Sequence, residues 1–494
     1  MNKAITRLIN FGLDHHLINK DDVIYTRNLL LNILQMSEFE DVEVEEEHLT
    51  SPQPILDEML AYAVEKEMIE DSITAKDLFD TRIMNALMPR PSEVRATFKA
   101  LYNEEPKKAT DYYYAISQAS NYMRTDRIAK DLHWQTETKY GNIDISINLS
   151  KPEKDPKEIA KAKLLPPKKY PKCLLCKENE GYAGTYSHPA RHNHRIIPLK
   201  LNEQDYFMQY SPYSYYNEHC IIFNAEHIPM VINEKTLRSL LGFIDIFPHY
   251  FIGSNADLPI VGGSILTHDH FQGGSYTFAM ETAPMFEEET HADYPNVTFG
   301  RVKWPLSVLR VRSKEIEPLV KFASHVLDAW RNYSDESVDI LAFSGETPHN
   351  TITPIARKKG EYFELDLTLR NNRTNDEYPM GIFHPHAHLH HIKKENIGLI
   401  EVMGLAILPA RLKQELAQIE ECLINGSELS ENLASHQDWF NEMKAKYTNV
   451  EASAWHGIIE DEVGHIFEEV LENAGVYKQD ETGLAAFKKF MDSL

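Results

Sequence analysis

Four cysteines in 494 residues are too few for a disulfide framework. The small disulfide-stapled secreted classes are excluded, and Cys173-Leu174-Leu175-Cys176 reads instead as a metal pair or a redox pair in a reducing compartment. Long apolar runs are missing as well. No stretch approaches the roughly 18 apolar residues of a membrane span, and the opening MNKAITRLINFGLDHH has no signal-peptide core, so a soluble, cytoplasmic chain is expected. Positive charge is scarce: 51 Lys and Arg against 75 Asp and Glu leave a net charge of -24. Nucleic acid and anionic membranes are repelled at long range and are not expected as partners. A small anionic substrate remains compatible, provided that local backbone N–H groups, a few Arg and Lys, histidines and amides hold it.

What is present is ordinary globular material, 42% hydrophobic and 26% charged. The length calls for two to four structural units. Helical spacing dominates the first 130 residues, as at Val23, Leu30, Leu31 and Leu34 behind the acidic caps Asp21 and Asp22. The acidic run from Glu38 to Glu47 reads as a solvated loop. Alternation of Ile143, Ile145, Ile147 and Leu149 then marks a strand, and a Lys/Pro-rich linker follows at Lys151–Lys172.

From Cys173 to about Pro409 strand-like runs (EHCIIFN, YFELDLTLRN, LIEVMGLAILP) mix with helices such as the Leu319, Phe322, Val326, Trp330 face. That is an α+β pattern. Helices return at the end, on Leu412, Leu416, Ile419 and Leu423, and on Val463, Ile466, Phe467, Val470 and Leu471 before Gly475. The expected regions are 1–150, mainly helical; 151–285 and 286–410, α+β; and 411–494, helical. Two histidine-rich segments about 115 residues apart, THDHFQGG and HPHAHLHH, raise the prospect of a duplicated domain.

The run Asp257–Gly274, DLPIVGGSILTHDHFQGG, carries the most chemistry. If extended, it presents His268, His270 and Gln272 on one face, while Gly262, Gly263, Gly273 and Gly274 permit close backbone approach to a ligand. Imidazole attacks phosphorus near neutral pH and forms a labile N–P bond, and an amide can donate to an oxygen where charge develops. A metal pair or two surface histidines are the plainer readings of His-x-His. In His384–His391, alternation would align His384, His386, His388 and His390, enough for a second metal, for phosphate contacts, or for neither. Lys393, Lys394, Arg370 and Arg373 supply nearby cations.

The Asp257–Gly274 run, together with GNIDISINLSKPEKDP, HPARHNHRIIPL, PHNTITPIARKKG and HHIKKENIGLIEVMGLAILP, resembles the galactose-1-phosphate uridylyltransferases of the second class, within the histidine-triad superfamily. The resemblance implies duplicated histidine-triad-like antiparallel sheet domains at 151–285 and 286–410. It implies that His270, second in His-x-His-x-Gln, takes the nucleotidyl group, with Gln272 as the phosphate-orienting amide and His268 beside the nucleophile. It also implies a structural Zn²⁺ on Cys173, Cys176, His227 and His268, no organic cofactor, and a homodimer. UMP would pass from UDP-glucose to galactose 1-phosphate in galactose catabolism, giving UDP-galactose.

For substrate binding the resemblance points to Asn193, at a uridine-contacting asparagine, and to Gly262, Gly263 and Ser264, with Arg370, Arg373 and Lys393 toward the hexose phosphate. Two departures stand out: Ser264 is one residue further from the histidines than in the first class, and His194 stands where that class has an acid. Two other readings share many of these features. A histidine-triad hydrolase or phosphorylase would use His270 with water or phosphate as acceptor, and a non-catalytic zinc- or nucleotide-binding protein would bind without exchange.

Overall fold

A computed structural model describes residues 1–150, 169–263 and 265–494. Most of the Lys151–Lys172 linker and Ser264 lie outside the described residues. The chain is α+β, its sheets mainly antiparallel, and it divides into two compact units.

Unit 1 contains residues 1–130, 150–228 and 268–270. Its first part is helical, as the spacing predicts: Asn2–Asp14, Val23–Ile33, Gln53–Glu65, Ile73–Asn85, Pro91–Glu104 and Pro106–Ala119. Local chemistry sets the starts. Ser72 accepts from the Ala75 N–H at 3.2 Å, and Pro91 and Pro106 occupy first-turn positions where a missing N–H does no harm. Asp22 is the residue at the cap of Val23–Ile33, and its carboxylate accepts from the Asn19 N–H at 3.0 Å across the short 3₁₀ turn Lys20–Asp22, so the helix starts where the Asp21–Asp22 pair suggests. The acidic run is a loop without buried residues, and Arg7 Nε holds its Glu47 at 3.0 Å.

After the helices comes a three-stranded antiparallel meander, Ile197–Leu201, Gln204–Tyr210 and Cys220–Asn224. Buried tyrosines tie the helical part to the sheet: Tyr113 Oη, on the helix Pro106–Ala119, donates to the Arg195 carbonyl just before the first strand at 2.5 Å, and Tyr122 Oη, just past that helix, donates to the Tyr210 carbonyl at 3.0 Å. Each hydroxyl meets an acceptor inside the core, which is what lets a tyrosine be buried there.

Unit 2 contains residues 131–149, 229–267 and 271–494. The alternating isoleucines form the strand Gly141–Ile147. It pairs antiparallel with Leu132–Thr138 and parallel with Leu405–Leu408, and Ile143, Ile145 and Ile147 are buried. A larger antiparallel set runs Phe251–Gly253, Asn350–Lys359, Tyr362–Asn371, Val308–Ser313, Tyr294–Val302, Met285–His291.

The strand Asn350–Lys359 is buried on both faces over its first eight residues. Helices Glu234–Ile246 and Ile316–Arg331 pack on it, the latter through Leu319, Phe322, Val326 and Trp330 as its sequence face predicts. Buried charge in the same sheet is matched. Arg310 forks onto Asp366 at 2.6 and 2.9 Å, and Arg357 donates to Asp366 at 2.7 Å and to Glu364. LIEVMGLAILP is not one strand but a short helix, Leu399–Val402, and then the strand Leu405–Leu408.

Candidate active site and metal-binding cluster

Three segments of unit 1 bring the cluster together. Cys173 and Cys176 lie in a tight turn, where Asn179 Nδ2 donates to both cysteine carbonyls, at 2.9 and 2.8 Å, and the Leu175 N–H reaches Cys173 Sγ at 3.4 Å. The second segment, His268–His270, is laced to residues 224–228: the Asp269 N–H donates to the Ile228 carbonyl at 2.7 Å, and the Asn224 N–H to the Asp269 carbonyl at 2.9 Å. His227 therefore lies beside His268, with ring centroids 4.8 Å apart. The Asp269 carboxylate accepts from Tyr206 Oη at 2.8 Å and from Asn224 Nδ2 at 3.2 Å.

The outcome is a convergence of four donor atoms, all within 4.8 Å of one another. Cys173 Sγ is 3.6 Å from Cys176 Sγ and 3.2 Å from His268 Nδ1, while Cys176 Sγ is 3.3 Å from His227 Nδ1 and 3.8 Å from His268 Nδ1. These atoms can hold a metal ion. The His268 tautomer suits metal binding, because Nε2 lies 2.9 Å from the Asn224 carbonyl, which can only accept. Nε2 therefore carries the hydrogen and Nδ1 presents its lone pair to the thiols. Burial pushes the Cys173 thiol up to about 11, with the adjacent Cys176 adding to it. Burial also lowers the His268 pKa. A bound cation reverses the preference of the thiols by favouring their thiolates.

His270 opens the strand His270–Gly274. Its Nδ1 is 2.7 Å from the His268 carbonyl, so Nδ1 donates and Nε2 keeps the free lone pair. The ring is buried, and burial lowers its pKa below the usual histidine value, favouring the neutral, nucleophilic form. His268 precedes the strand instead of lying in it, so the alternation predicted for 268, 270 and 272 applies only from His270 onward. His268 is turned to the cysteines. Within the strand His270 and Gln272 share a face by alternation, and Gln272 is half-buried.

Residues 16–229 match the family described as galactose-1-phosphate uridyl transferase, N-terminal domain, and residues 243–441 match its C-terminal domain. A galactose-1-phosphate uridylyltransferase of Clostridium acetobutylicum is 56% identical over 497 residues, spanning 100% of both chains. The chain belongs to the galactose-1-phosphate uridylyltransferase family. The Bacillus subtilis galactose-1-phosphate uridylyltransferase is 48% identical over 99% of this chain and 97% of its own length. A solved structure of the yeast Ap4A phosphorylase Apa2 matches at 11% identity and a TM-score of 0.31, covering 60% of this chain and 85% of that one, too remote to bear on mechanism.

The other residues singled out in the sequence take varied positions. In unit 1 Asn193 is buried; its Nδ2 donates to the Ser120 carbonyl at 2.8 Å, while Oδ1 meets no donor among the described residues. Next to it His194 stacks on Tyr122 with centroids 4.2 Å apart, and burial, with Arg191 adding, lowers its pKa to about 3.

In unit 2 a side chain at Gly262 would meet the Ala256 and Leu258 carbonyls at 2.5 and 2.7 Å, and one at Gly263 would meet the Asn255 amide at 2.6 Å. Gly262 is thus required by close packing against backbone, whereas at Gly263 it is a side-chain amide that would have to move. Arg370 is fully buried: Nη1 donates to Thr353 Oγ1 at 3.2 Å and Nη2 to the Ile397 carbonyl at 2.8 Å, and burial lowers its pKa to about 10. Arg373 donates through Nη2 to the Asp339 carbonyl at 2.5 Å. Lys393 is buried against Glu401 and donates to the Ile407 carbonyl at 3.1 Å.

The His384–His391 segment is not extended. Pro385 interrupts it and Ala387–Leu389 forms a 3₁₀ turn, so the histidines do not align. Three supporting residues, Asn179, Asn224 and Tyr206, are not picked out by sequence motif. Asn179 lies three residues beyond the second cysteine and Asn224 ends the strand before His227, positions where a polar side chain can bind a turn. Tyr206 offers no local signal.

Proposed function

We propose that this chain exchanges the hexose 1-phosphate of UDP-glucose for galactose 1-phosphate, holding UMP on Nε2 of His270 between two displacements. The observation that carries this reading is the His270 Nδ1–H bond to the His268 carbonyl, which leaves Nε2 as the attacking lone pair of a neutral, buried imidazole. In the first step Nε2 attacks the α-phosphorus of UDP-glucose, the N–P bond forms, the P–O bond breaks, and glucose 1-phosphate leaves with the electron pair. Galactose 1-phosphate then attacks the same phosphorus through a phosphate oxygen, and the electron pair returns to Nε2. Neither leaving group needs a proton, so positioning and charge stabilisation are the main demands.

The carbonyl that receives the growing positive character at Nδ1–H is itself fixed, because His268 is tied through its ring to the cysteine cluster. Gln272 donates to a non-bridging oxygen of the phosphorus centre. Asn193 is assigned to uridine on the strength of its unmatched Oδ1, a buried acceptor that a donor on the base or ribose would satisfy. Gly262 and Gly263 are assigned to the approach of the phosphates, where glycine lets the backbone come close, and so is Ser264, which lies outside the described residues. Arg370 and Arg373 supply positive charge toward the hexose phosphate, and each has an Nε without a protein acceptor among the described residues. Lys393, matched by Glu401, contributes less.

Zinc is the metal assigned to Cys173, Cys176, His227 and His268, as a structural tie without a chemical step. A tetrahedral Zn²⁺ with bonds of about 2.3 Å to sulfur and about 2.0–2.1 Å to nitrogen sets S···S near about 3.8 Å and S···N near about 3.6 Å. Four of the six separations, 3.6 Å between the sulfurs and 3.2–3.8 Å from sulfur to nitrogen, are close to that set, and the remaining two lie within 4.8 Å. A cytoplasmic homodimer accords with the reading, and no helix among the described residues is long and apolar enough to cross a membrane.

The test is to trap the intermediate. Protein given UDP-glucose labelled in the α-phosphate should hold acid-labile, base-stable label on His270, and His270→Asn should hold none while still binding UDP-glucose. Label on another histidine, or release of free UMP with no sugar acceptor at the rate of exchange, would overturn the assignment.

A further inference from the structure

Ser344 lies on an exposed hairpin of unit 2, in which Phe343–Ser344 pairs with Thr347–Pro348 across a turn at Gly345, φ +59°. Behind it His349 is buried. Its Nε2 is 2.8 Å from Ser344 Oγ and its Nδ1 is 2.8 Å from Asn372 Oδ1.

The direction of each bond follows from the far end of the chain. Asn372 Nδ2 donates to the Pro259 carbonyl at 3.2 Å, and because a carbonyl only accepts, the amide cannot be turned the other way. Asn372 Oδ1 therefore faces His349 and accepts from Nδ1–H. Nε2 is left as the acceptor of the Ser344 hydroxyl proton. Main-chain bonds hold the geometry, with the His349 N–H donating to the Ala342 carbonyl at 2.8 Å and the Asn372 N–H to the His349 carbonyl at 3.1 Å.

A hydroxyl on an imidazole whose other nitrogen is oriented by a fixed acceptor is the arrangement that activates a nucleophilic serine. Its burial gradient suits that role: the hydroxyl is at the surface, the base is buried behind it, and the orienting amide is half-buried. Phe343, 46% exposed, provides an apolar surface next to the serine.

We propose that Ser344, His349 and Asn372 form a second site, separate from His270, that hydrolyses small carboxylic esters. Ser344 Oγ forms a bond to the acyl carbon, its proton passes to His349 Nε2, and the ester C–O bond breaks as the leaving alcohol takes that proton. Water then attacks the acyl-serine, gives a proton to Nε2, and the acid leaves as the serine hydroxyl is re-formed. The exposed hairpin favours small acyl groups with good leaving groups.

Two probes test it on the full chain: diisopropyl fluorophosphate, read by intact mass and peptide mapping, and p-nitrophenyl acetate hydrolysis. One adduct per chain at Ser344 is expected, together with ester turnover that Ser344→Ala removes while uridylyl transfer is unchanged. His349→Gln should slow labelling by about 10²-fold or more, the scale of a lost general base, and Asn372→Asp, which keeps the acceptor, should retain it. Ser344 is exposed, so its alanine variant carries little folding risk. Absence of an adduct in the wild-type chain, ester hydrolysis that survives Ser344→Ala, or equal labelling rates in wild type and a folded His349→Gln would each overturn the site.

Discussion

The two histidine-rich segments of this chain differ in what their side chains do. In unit 1 the rings of His227 and His268 turn toward two sulfurs, and four donor atoms meet within 4.8 Å. In unit 2 the rings between His384 and His391 meet local partners instead of one another. His384 reaches the Pro385 carbonyl at 3.1 Å and Asn396 Oδ1 at 3.2 Å, and His386 reaches the Ile382 carbonyl at 3.1 Å. His388 is 2.6 Å from Glu469, His390 2.8 Å from the Pro385 carbonyl, and His391 2.9 Å from His436. Five imidazoles in eight residues go to scattered partners, two of them sharing the Pro385 carbonyl, whereas two imidazoles from distant positions converge. The density of histidine in a sequence therefore says less about a metal site than the backbone that aims the rings.

The largest effect should come from breaking the convergent cluster. Cys173→Ser removes one of four ligands, and metal content should fall from about one ion per chain to near zero, with thermal stability falling by several degrees or more. Transfer activity should fall less than binding of the metal does, because His270 keeps its own bond to the His268 carbonyl. Elemental analysis beside a melting curve checks this. A fully active wild-type preparation without metal would end the assignment.

Much of this contrast is legible in the sequence at the convergent cluster and little of it at the other. Cys173, Cys176, His227 and His268 lie at spacings whose chemistry is local: a two-residue gap between thiols makes a turn, and a histidine just past a strand is held by the sheet. The alternating Ile143, Ile145 and Ile147 mark their strand for a similar reason, since period two is a property of the segment itself. Its parallel partner Leu405–Leu408 lies some 260 residues away, and no local pattern names such a pairing. At His384–His391 the alternation suggests a shared face, but Pro385 lacks an N–H for a ladder and the chain turns. The role of Ser344 is invisible for a related reason: its hydroxyl gains meaning only from Asn372, 28 positions later, through His349.

A smaller effect, confined to the dispersed segment, comes from His391. Burial, with the His436 imidazole, Arg411 and His388 adding to it, lowers its pKa to about 3, and Glu415 faces the far nitrogen of His436 at 2.9 Å. The unfolded chain binds this proton below about pH 6.5, where the folded chain does not. The contribution is therefore complete above about pH 6.5 and declines as pH falls toward 3, by about 2 kcal/mol at pH 5. Urea midpoints at pH 7 and pH 5 should differ less in His391→Gln than in wild type. Parallel pH profiles for the two proteins would assign the acid sensitivity to other groups.

The smallest effect, and the sharpest check on the comparison, is expected at His388. Its Nε2 is 2.6 Å from Glu469 Oε1, but the two side chains are 60% and 49% exposed, and water screens the pair from both sides. An exposed pair of this kind contributes between nothing and about 1 kcal/mol, and ordering two side chains offsets part of that. His388→Ala should therefore leave stability within about 0.5 kcal/mol of wild type, metal content at one ion per chain, and transfer rates within about twofold. The same substitution in the convergent cluster, at His227, removes a ligand and should release the metal. If His388→Ala also lost metal, its ring would be part of a second coordination site and the two segments would be alike in function. Unchanged metal with a lower affinity for hexose 1-phosphate alone would place the ring at the substrate. An unchanged protein in all three measurements makes His388 a surface residue with a surface partner, as its exposure implies.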